Sequence, residues 1–527
     1  MTATAMTIPG VLRAAASRHC EGIAIEDGAR RVSFVELEFL AQAAARAYIY
    51  IGIQPGDRVA IWAPNSVEWI IAALGAHCAG AVLVPVNTRL KGREAGDILR
   101  RSGTRALACP NEFLGTRPLD LLRDEPLPEL SLRIVLPDAN APAPMPASMS
   151  PGSLLFDDFI ASGSACPPQA LMQRIADIAP DSLADIMYTS GTTGRPKGVM
   201  SSHGQNVRAF SAWSQIVGLN ASDRYLIVNP FFHTFGYKAG WLACLITGAT
   251  ILPMAVFDPA EVMRRIARDR VSVLPGPPTL FQSLLAQPDC NQVDMSTLRV
   301  AVTGAANVPV KLIERMRDEL GFRTVITGYG LTESTGLVTM CRPGDGAERI
   351  ARTCGKAIPG VEVRCMDEHG ADVAVGMEGE VLVRGFNVMR GYLDDPDATR
   401  ETIDADGWLH TGDIGVLDAQ GYLRITDRKK DMFIVGGFNC YPAEIENIIA
   451  SHPAVGQVAI VGVPDERLGE VAQAFVIVRS GHELSEPALL SWCRENLANY
   501  KSPRSVVFVN ELPTTASGKI QRFALKS

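Results

Sequence analysis

The stretch YTSGTTGRPKGVM, residues 188–200, alternates small hydroxyl residues with glycines and carries a lysine near its end. Glycines let backbone N–H groups approach an oxyanion closely, and hydroxyls add donors, so the composition suits a phosphate-holding loop. Taken alone it also suits a surface turn, because Ser, Thr, Gly and Pro are turn residues. The best-known phosphate loop requires Gly, four residues, then Gly-Lys-Ser/Thr. Here Lys197 follows Pro196 and precedes Gly198, which excludes that loop. The preceding LADIMY is strand-like, and ligands of α/β folds bind beyond the carboxyl ends of strands. The stretch is therefore read either as a different nucleotide grip beyond a strand of an α/β sheet or as a surface loop.

Two segments extend this fold reading. IIAALGAHCAGAVLVPVN (70–87) and the uncharged run 239–257 both read as helix, glycine turn and buried strand. Short apolar runs of this kind mark parallel strands covered on both faces. The expected class is α/β: a large N-terminal domain of two doubly wound subdomains. The run 239–257 is broken by Gly248 and Pro253, which argues against a membrane-spanning helix. Between about 355 and 425, runs such as VEVRCMD, GEVLVRG and GYLRITD alternate with glycines and predict hairpins in a small barrel-like or sheet subdomain. After the charged cluster DRKKDMF (427–433), YPAEIENIIASHP opens a helix, and strands VGQVAIVGVP and VAQAFVIVRS follow. This predicts a small α+β C-terminal domain. The expected boundaries are 1–427 and 431–527. The Pro- and Ser-rich residues 138–152 read as a surface excursion.

Composition narrows the function. The chain has 527 residues and a net charge of −7, with no electrostatic footprint for nucleic acid. Its eleven cysteines are scattered without a CxxC pair, which excludes a zinc ribbon and suits a reducing, cytoplasmic setting. No basic-then-apolar export signal opens the chain. No transmembrane segment is expected; peripheral membrane contact and homodimer formation are left open.

A second motif, GYGLTES (328–334), begins as a dinucleotide fingerprint but has Glu333 where its third glycine belongs. Tyr329 suits base stacking, Thr332 a phosphate bond, and Glu333 a hard cation. The ordered set is more specific than any member: YTSGTTGRPKG, NPFFHTFG (229–236), TGAA (303–306), GYGLTES, GWLHTGD (407–413), TDRKKDMFIVGGFNCYPAEIE (426–446) and PTTASGK (513–519). With these seven in sequence, nearly the whole chain resembles the adenylate-forming superfamily of acyl-CoA synthetases, luciferases and peptide-synthetase adenylation domains.

The resemblance implies roles residue by residue. Thr189, Ser190, Gly191, Thr192, Thr193, Gly194, Lys197 and Gly198 would wrap the β- and γ-phosphates of ATP. Gly304, Ala305, Ala306, Gly328, Tyr329, Gly330, Leu331 and Thr332 would line the nucleotide pocket. Asp413 would accept from the ribose hydroxyls, and Arg428 would contact ribose or phosphate. Glu333, with Thr189, would hold Mg²⁺. His233, which by itself reads as a packing histidine, would lie between the acyl and nucleotide pockets. Lys519 would contact carboxylate and α-phosphate during catalysis, where a compact cation stabilises gathering negative charge. Lys430 would be the hinge of a mobile C-terminal domain, and Gly436, Gly437 and Phe438 would flank the tunnel for coenzyme A. The implied chemistry is acid plus ATP to acyl-adenylate and pyrophosphate, then CoA thioester and AMP.

Residues 229–241 contain no acidic side chain to meet an α-ammonium, which disfavours an amino acid substrate. An acid with an apolar body is expected, contacted by Phe235, Trp241, Gly276 and Pro277. Lys238 has two readings: a lysine pointing out of the helix start, or a contact to a keto or carboxyl group of the substrate. The stretches NPFFHTFGYKAG, VLPGPPT and AVTGAANVP especially resemble bacterial CoA ligases of this superfamily acting on a steroid-derived methylhydrindanedione propanoate. The alternatives are a medium-chain or general fatty acyl-CoA ligase, an adenylating enzyme that loads a carrier protein, and a non-enzymatic nucleotide-binding module. The glycine tunnel loop favours free CoA, and Lys519 has no use in a binding module.

Overall fold

The computed structural model describes residues 6–137, 152–189, 196–288, 290–304, 308–367, 369–428, 433–440, 442–513 and 522–525. It is a mixed α/β protein with a large N-terminal domain and a smaller C-terminal domain, as the alternation of runs predicts. Two large sheets form the N-terminal core. The first has the spatial order Gly391–Tyr392, Lys197–Ser202, Leu183–Thr189, Val82–Pro85, Arg58–Ile61, Thr104–Pro110, Leu132–Leu136 and Ser153–Leu155. From Leu183–Thr189 outward its strands are parallel, whereas Lys197–Ser202 runs antiparallel to Leu183–Thr189.

The second sheet holds Arg30–Ser33, Ile23–Asp27, Thr250–Pro253 and Arg224–Ile227, and Val273 bridges it to Val300–Gly304 and Thr324–Tyr329. Arg224–Ile227 therefore lies between Thr250–Pro253 on one side and Val273 on the other. The chain leaves this point in both directions, which opens a crevice at the carboxyl ends of the strands. Both predicted helix–glycine–strand units are present. Helix Val67–Cys78 turns at Gly80 into Val82–Pro85, and helix Ala243–Thr247 turns at Gly248 into Thr250–Pro253. Both glycines have positive φ, +77° and +82°, a region a side chain disfavours. Among the described residues no helix is long and apolar enough to cross a membrane.

Residues 361–428 form a four-stranded antiparallel sheet of Val361–Met366, Glu378–Gly385, Leu409–Leu417 and Leu423–Arg428. The smaller domain pairs Phe438–Cys440, Phe433–Val435, Gly469–Val478 and Val455–Asp465, with Ser505–Phe508 parallel to Gly469–Val478. Helices Pro442–Ile449 and Glu486–Asn496 accompany it. One apolar cluster runs continuously from Trp62, Val84 and Ile186 of the first sheet's surroundings to Phe433, Ile445 and Val506. Burial of that surface holds the small domain against the large one.

Candidate active site

Four strands end at one place: Leu183–Thr189, Arg224–Ile227, Val300–Gly304 and Thr324–Tyr329. Their exits line a cavity of about 1340 Å³. Thr189, Lys197, His233, Phe235, Gly304, Gly328, Tyr329, Gly330, Leu331, Thr332, Glu333, Asp413, Gly437 and Phe438 all border it. Residues as far apart in sequence as Thr189 and Phe438 thus share one cleft.

The phosphate-loop candidate sits in a β-hairpin. Leu183–Thr189 and Lys197–Ser202 pair with Thr189 opposite Lys197 and Tyr188 opposite Gly198. Ser190, Gly191, Thr192, Thr193 and Gly194 lie outside the described residues. The next helix begins only at His203, with Ser202 and Gln205 forming a reciprocal cap. Gly198 is buried rather than cavity-lining: an added Cβ would come within 2.9 Å of Ile186 and 3.2 Å of Tyr188. Its small size serves strand packing.

The nucleotide side is polar and tied together. The Tyr329 hydroxyl donates to Asp413 Oδ2 at 2.5 Å, and Asp413 is only 3% exposed. The Tyr392 hydroxyl donates to Glu333 Oε1 at 3.0 Å, and Lys197 Nζ lies 4.7 Å from the Tyr392 ring centre. Tyr392 thus couples the two motifs, a role the sequence reading missed because the residue lies outside every motif. Gly330 allows backbone against backbone: a Cβ there would lie 2.4 Å from Gly336 O. Thr335, directly after GYGLTES, holds a left-handed φ of +59°, with its hydroxyl bonded to Asn387 O at 2.7 Å. Such strain persists where surrounding contacts enforce it.

Mg²⁺ prefers oxygen ligands and is commonly held by one or two carboxylates together with phosphates. Glu333 on the cavity wall, with Thr189 at the end of its strand, fits that donor set. Among the described residues no group of three or more His, Cys, Asp and Glu is placed to hold a metal alone.

His233 caps the short helix Thr234–Gly236, its Nδ1 accepting from Phe235 N–H at 3.3 Å. It borders the cavity with its side chain exposed to it. The apolar wall beside it comprises Phe210, Trp213, Phe232, Phe235 and Ala239. Phe210 and Trp213 were missed by sequence reading, although their i, i+3 spacing within helix His203–Val217 puts them on one face.

Several expected acyl contacts are elsewhere. Trp241 is fully buried, stacked at 4.7 Å on Tyr237 and near Trp69. Gly276 and Pro277 do not border the cavity; Pro277 instead faces the small domain, 3.6 Å from where a Cβ on Gly437 would stand. Lys238 fits neither of its readings. It is fully buried, its Nζ 3.0 Å from Asp185 Oδ1, itself fully buried, and 3.3 Å from Ser201 Oγ. Burial draws its ammonium below the usual lysine range, and Asp185 opposes that shift. An ammonium can stay in a dry core beside a carboxylate, so it need not reach solvent or ligand.

On the small domain, Gly437 and Phe438 border the cavity whereas Gly436 does not; its N–H bonds Leu468 O at 2.9 Å. Ala305, Ala306, Lys430 and Lys519 lie outside the described residues, as does the side chain of Arg428, whose backbone pairs with Asp413. The domains meet through Lys501. Its Nζ bonds Glu444 Oε1 at 2.6 Å and Glu94 Oε1 of helix Gly92–Arg101 at 3.2 Å. Burial pulls the Lys501 ammonium down, yet Tyr500, Glu444 and Glu94 together carry it well above the usual lysine range. Asn87 donates to the Tyr500 hydroxyl at 3.3 Å, and Arg89 lies over the Phe438 ring at 4.6 Å. No motif signalled these contacts.

A cleft at the carboxyl ends of two sheets, polar at one end and aromatic at the other, has the form of an enzyme's ligand-binding site. The chain belongs to the AMP-binding enzyme family: residues 12–393 match the AMP-binding enzyme model and 444–519 match the AMP-binding enzyme C-terminal domain. It is 49% identical over 527 residues, all of this chain and 99% of the relative, to 3-[(3aS,4S,7aS)-7a-methyl-1,5-dioxo-octahydro-1H-inden-4-yl]propanoyl:CoA ligase of Rhodococcus jostii. It is 50% identical over 497 residues, 94% of each chain, to the ligase of the same name from Mycobacterium tuberculosis. Its fold is similar, at a TM-score of 0.82 and 28% identity over 98% of each chain, to o-succinylbenzoate CoA synthetase of Bacillus subtilis bound to a product analogue.

Proposed function

We propose that this protein is an ATP-dependent acid–thiol ligase that adenylates a propanoate carried on a bulky, steroid-derived bicyclic ring and transfers the acyl group to coenzyme A. The observation that carries the reading is the single cavity. It joins Thr189, Lys197, Tyr329, Glu333 and Asp413 to the aromatic wall of Phe210, Trp213 and Phe235 and to Gly437 of the small domain. The near-50% identity to two ligases for one such acid supports the substrate class.

In this reading Asp413 accepts from the ribose hydroxyls, an acceptor-only role suited to a carboxylate. The hairpin loop after Thr189 holds the departing pyrophosphate. Glu333, with Thr189, would hold Mg²⁺, which supplies charge neutralisation at the phosphates. The acid's carboxylate attacks the α-phosphorus, the bond to pyrophosphate breaks, and Lys519 stabilises the charge gathered there. The CoA thiolate then attacks the acyl carbon and AMP leaves. His233 stands between the aromatic wall and the nucleotide end, where it separates the two pockets. The small domain turns about Lys430 between the steps, and the orientation described here, with Gly437 on the cavity, suits the second.

A carboxylic acid panel tests this. Bicyclic propanoates and straight-chain acids are each scored for pyrophosphate release with and without CoA, and for thioester. Release without CoA and thioester with it, greatest on the bicyclic acid, is expected. Pyrophosphate without thioester would remove CoA as acceptor; preference for octanoate would make the protein a medium-chain ligase.

A further inference from the structure

The buried Lys238–Asp185 pair joins the two sides of the cavity. Lys238 belongs to a π-helical turn, Tyr237–Leu242, inside which Gly240 departs from helical geometry at φ −91°, ψ −106°. The N–H of Ala243 reaches back to Lys238 O, five residues earlier. The carbonyl of the intervening Ala239 instead accepts from the Tyr225 hydroxyl at 2.8 Å. Single π-helical turns of this kind concentrate at functional sites. Here the turn exposes Ala239 to the aromatic wall, next to Phe235 one turn earlier. The Lys238 side chain leaves in another direction. It crosses to Asp185 of strand Leu183–Thr189 and Ser201 of strand Lys197–Ser202, the two arms of the phosphate-loop hairpin. Asn206 Nδ2 donates to Asp185 Oδ2 at 2.6 Å and fixes the carboxylate.

A fully buried ion pair is weak evidence for stability, since a well-packed apolar pair often holds a core as firmly. What the pair does that apolar packing cannot is fix direction: a charge-assisted bond has one geometry. We infer that Lys238 and Asp185 are positioning residues: they lock the π-helical turn against the nucleotide hairpin, so that Phe235 and Ala239 stand where a bulky ring fits. Neither residue touches substrate. The inference rests on the adenylating function proposed above, and deepens it by naming what sets its acid preference.

The test is the double variant Lys238→Met/Asp185→Asn, which removes both charges and keeps an acceptor for Asn206. Thermal unfolding close to that of the unmodified protein and an unchanged KM for ATP are expected. The ratio of kcat/KM for a bicyclic propanoate to that for octanoate should fall about tenfold or more, through the KM for the bicyclic acid. Amide hydrogen exchange in residues 239–243 should quicken. Equal losses on every acid, an unchanged acid ratio, or a parallel rise in the KM for ATP would overturn the inference. If the unmodified protein releases pyrophosphate with no acid at all, the adenylating function fails instead. Exchange at 239–243 then decides the positioning role alone, and unaltered exchange overturns it.

Discussion

At the scale of single residues, a short contact on the nucleotide side is Tyr329 to Asp413. A carboxylate that is 3% exposed and accepts a hydroxyl at 2.5 Å is held in one orientation before any ligand arrives. Hydrogen bonds to charged groups contribute about 1.5–3 kcal/mol. Asp413→Ala should therefore weaken AMP binding about 10–100-fold, measured by calorimetry. In the proposed function, Lys519, outside the described residues, is the other decisive single group. Lys519→Ala should lower the rate of acyl-adenylate formation about 10²–10³-fold. Thioester formation from supplied acyl-adenylate should persist. Loss of both half-reactions together would place Lys519 in binding rather than in the first step. Both residues were legible in the sequence through their motifs. Tyr392 was not, since a tyrosine at a sheet edge has no local pattern that points to a carboxylate 59 positions earlier.

At the scale of elements, helices and strands followed the pattern of apolar runs closely, and the polar groups buried between them did not. Helix Val67–Cys78 carries His77, and helix His203–Val217 begins at His203; their rings lie 5.3 Å apart. His77 Nε2 pairs with the Tyr237 hydroxyl at 3.0 Å, and His203 Nδ1 accepts from Ile8 N–H at 3.3 Å. Burial pushes His203 down to about 3 and His77 well below the ordinary value. A histidine lowered on folding stays neutral in the native state while the unfolded chain takes up a proton. Stability is then full above pH 6.5 and declines as pH falls toward 3, by about 1.4 kcal/mol per pH unit for each such histidine. Urea unfolding from pH 7 to 5 should show this fall, reduced by about one proton's share in His203→Gln. An identical slope in the variant would mean that His203 is protonated in the folded protein.

At the scale of the whole molecule, residues of both domains border one cavity. Lys501, Glu444 and Glu94 form a buried charged contact across that meeting, and the turn bearing Gly437 closes the cavity beside Pro277. Gly437 has a φ of +85°. A β-branched residue there meets a strain of about 1–3 kcal/mol. If the turn serves only the proposed second step, Gly437→Val should spare pyrophosphate release and lower thioester formation about tenfold or more. Equal loss of both steps, measured in parallel assays, would show that the turn also serves adenylation.

The sequence by itself determined the α/β class, the two helix–glycine–strand units, the small α+β domain and the presence and order of the motifs. These depend on local periodicity and short spacings, which a single chain displays. Only the tertiary structure decided where Lys238, Trp241, Gly198 and Lys501 act. Lys238 looks like a surface or substrate lysine until Asp185, fifty-three positions earlier, is seen 3.0 Å from its nitrogen. Gly198 reads as a loop glycine until Ile186 and Tyr188 are seen packed where its Cβ would stand. The physical reason is the same in each case: the free energy of a charge or a close contact is set by its spatial neighbours, and those come from distant parts of the chain.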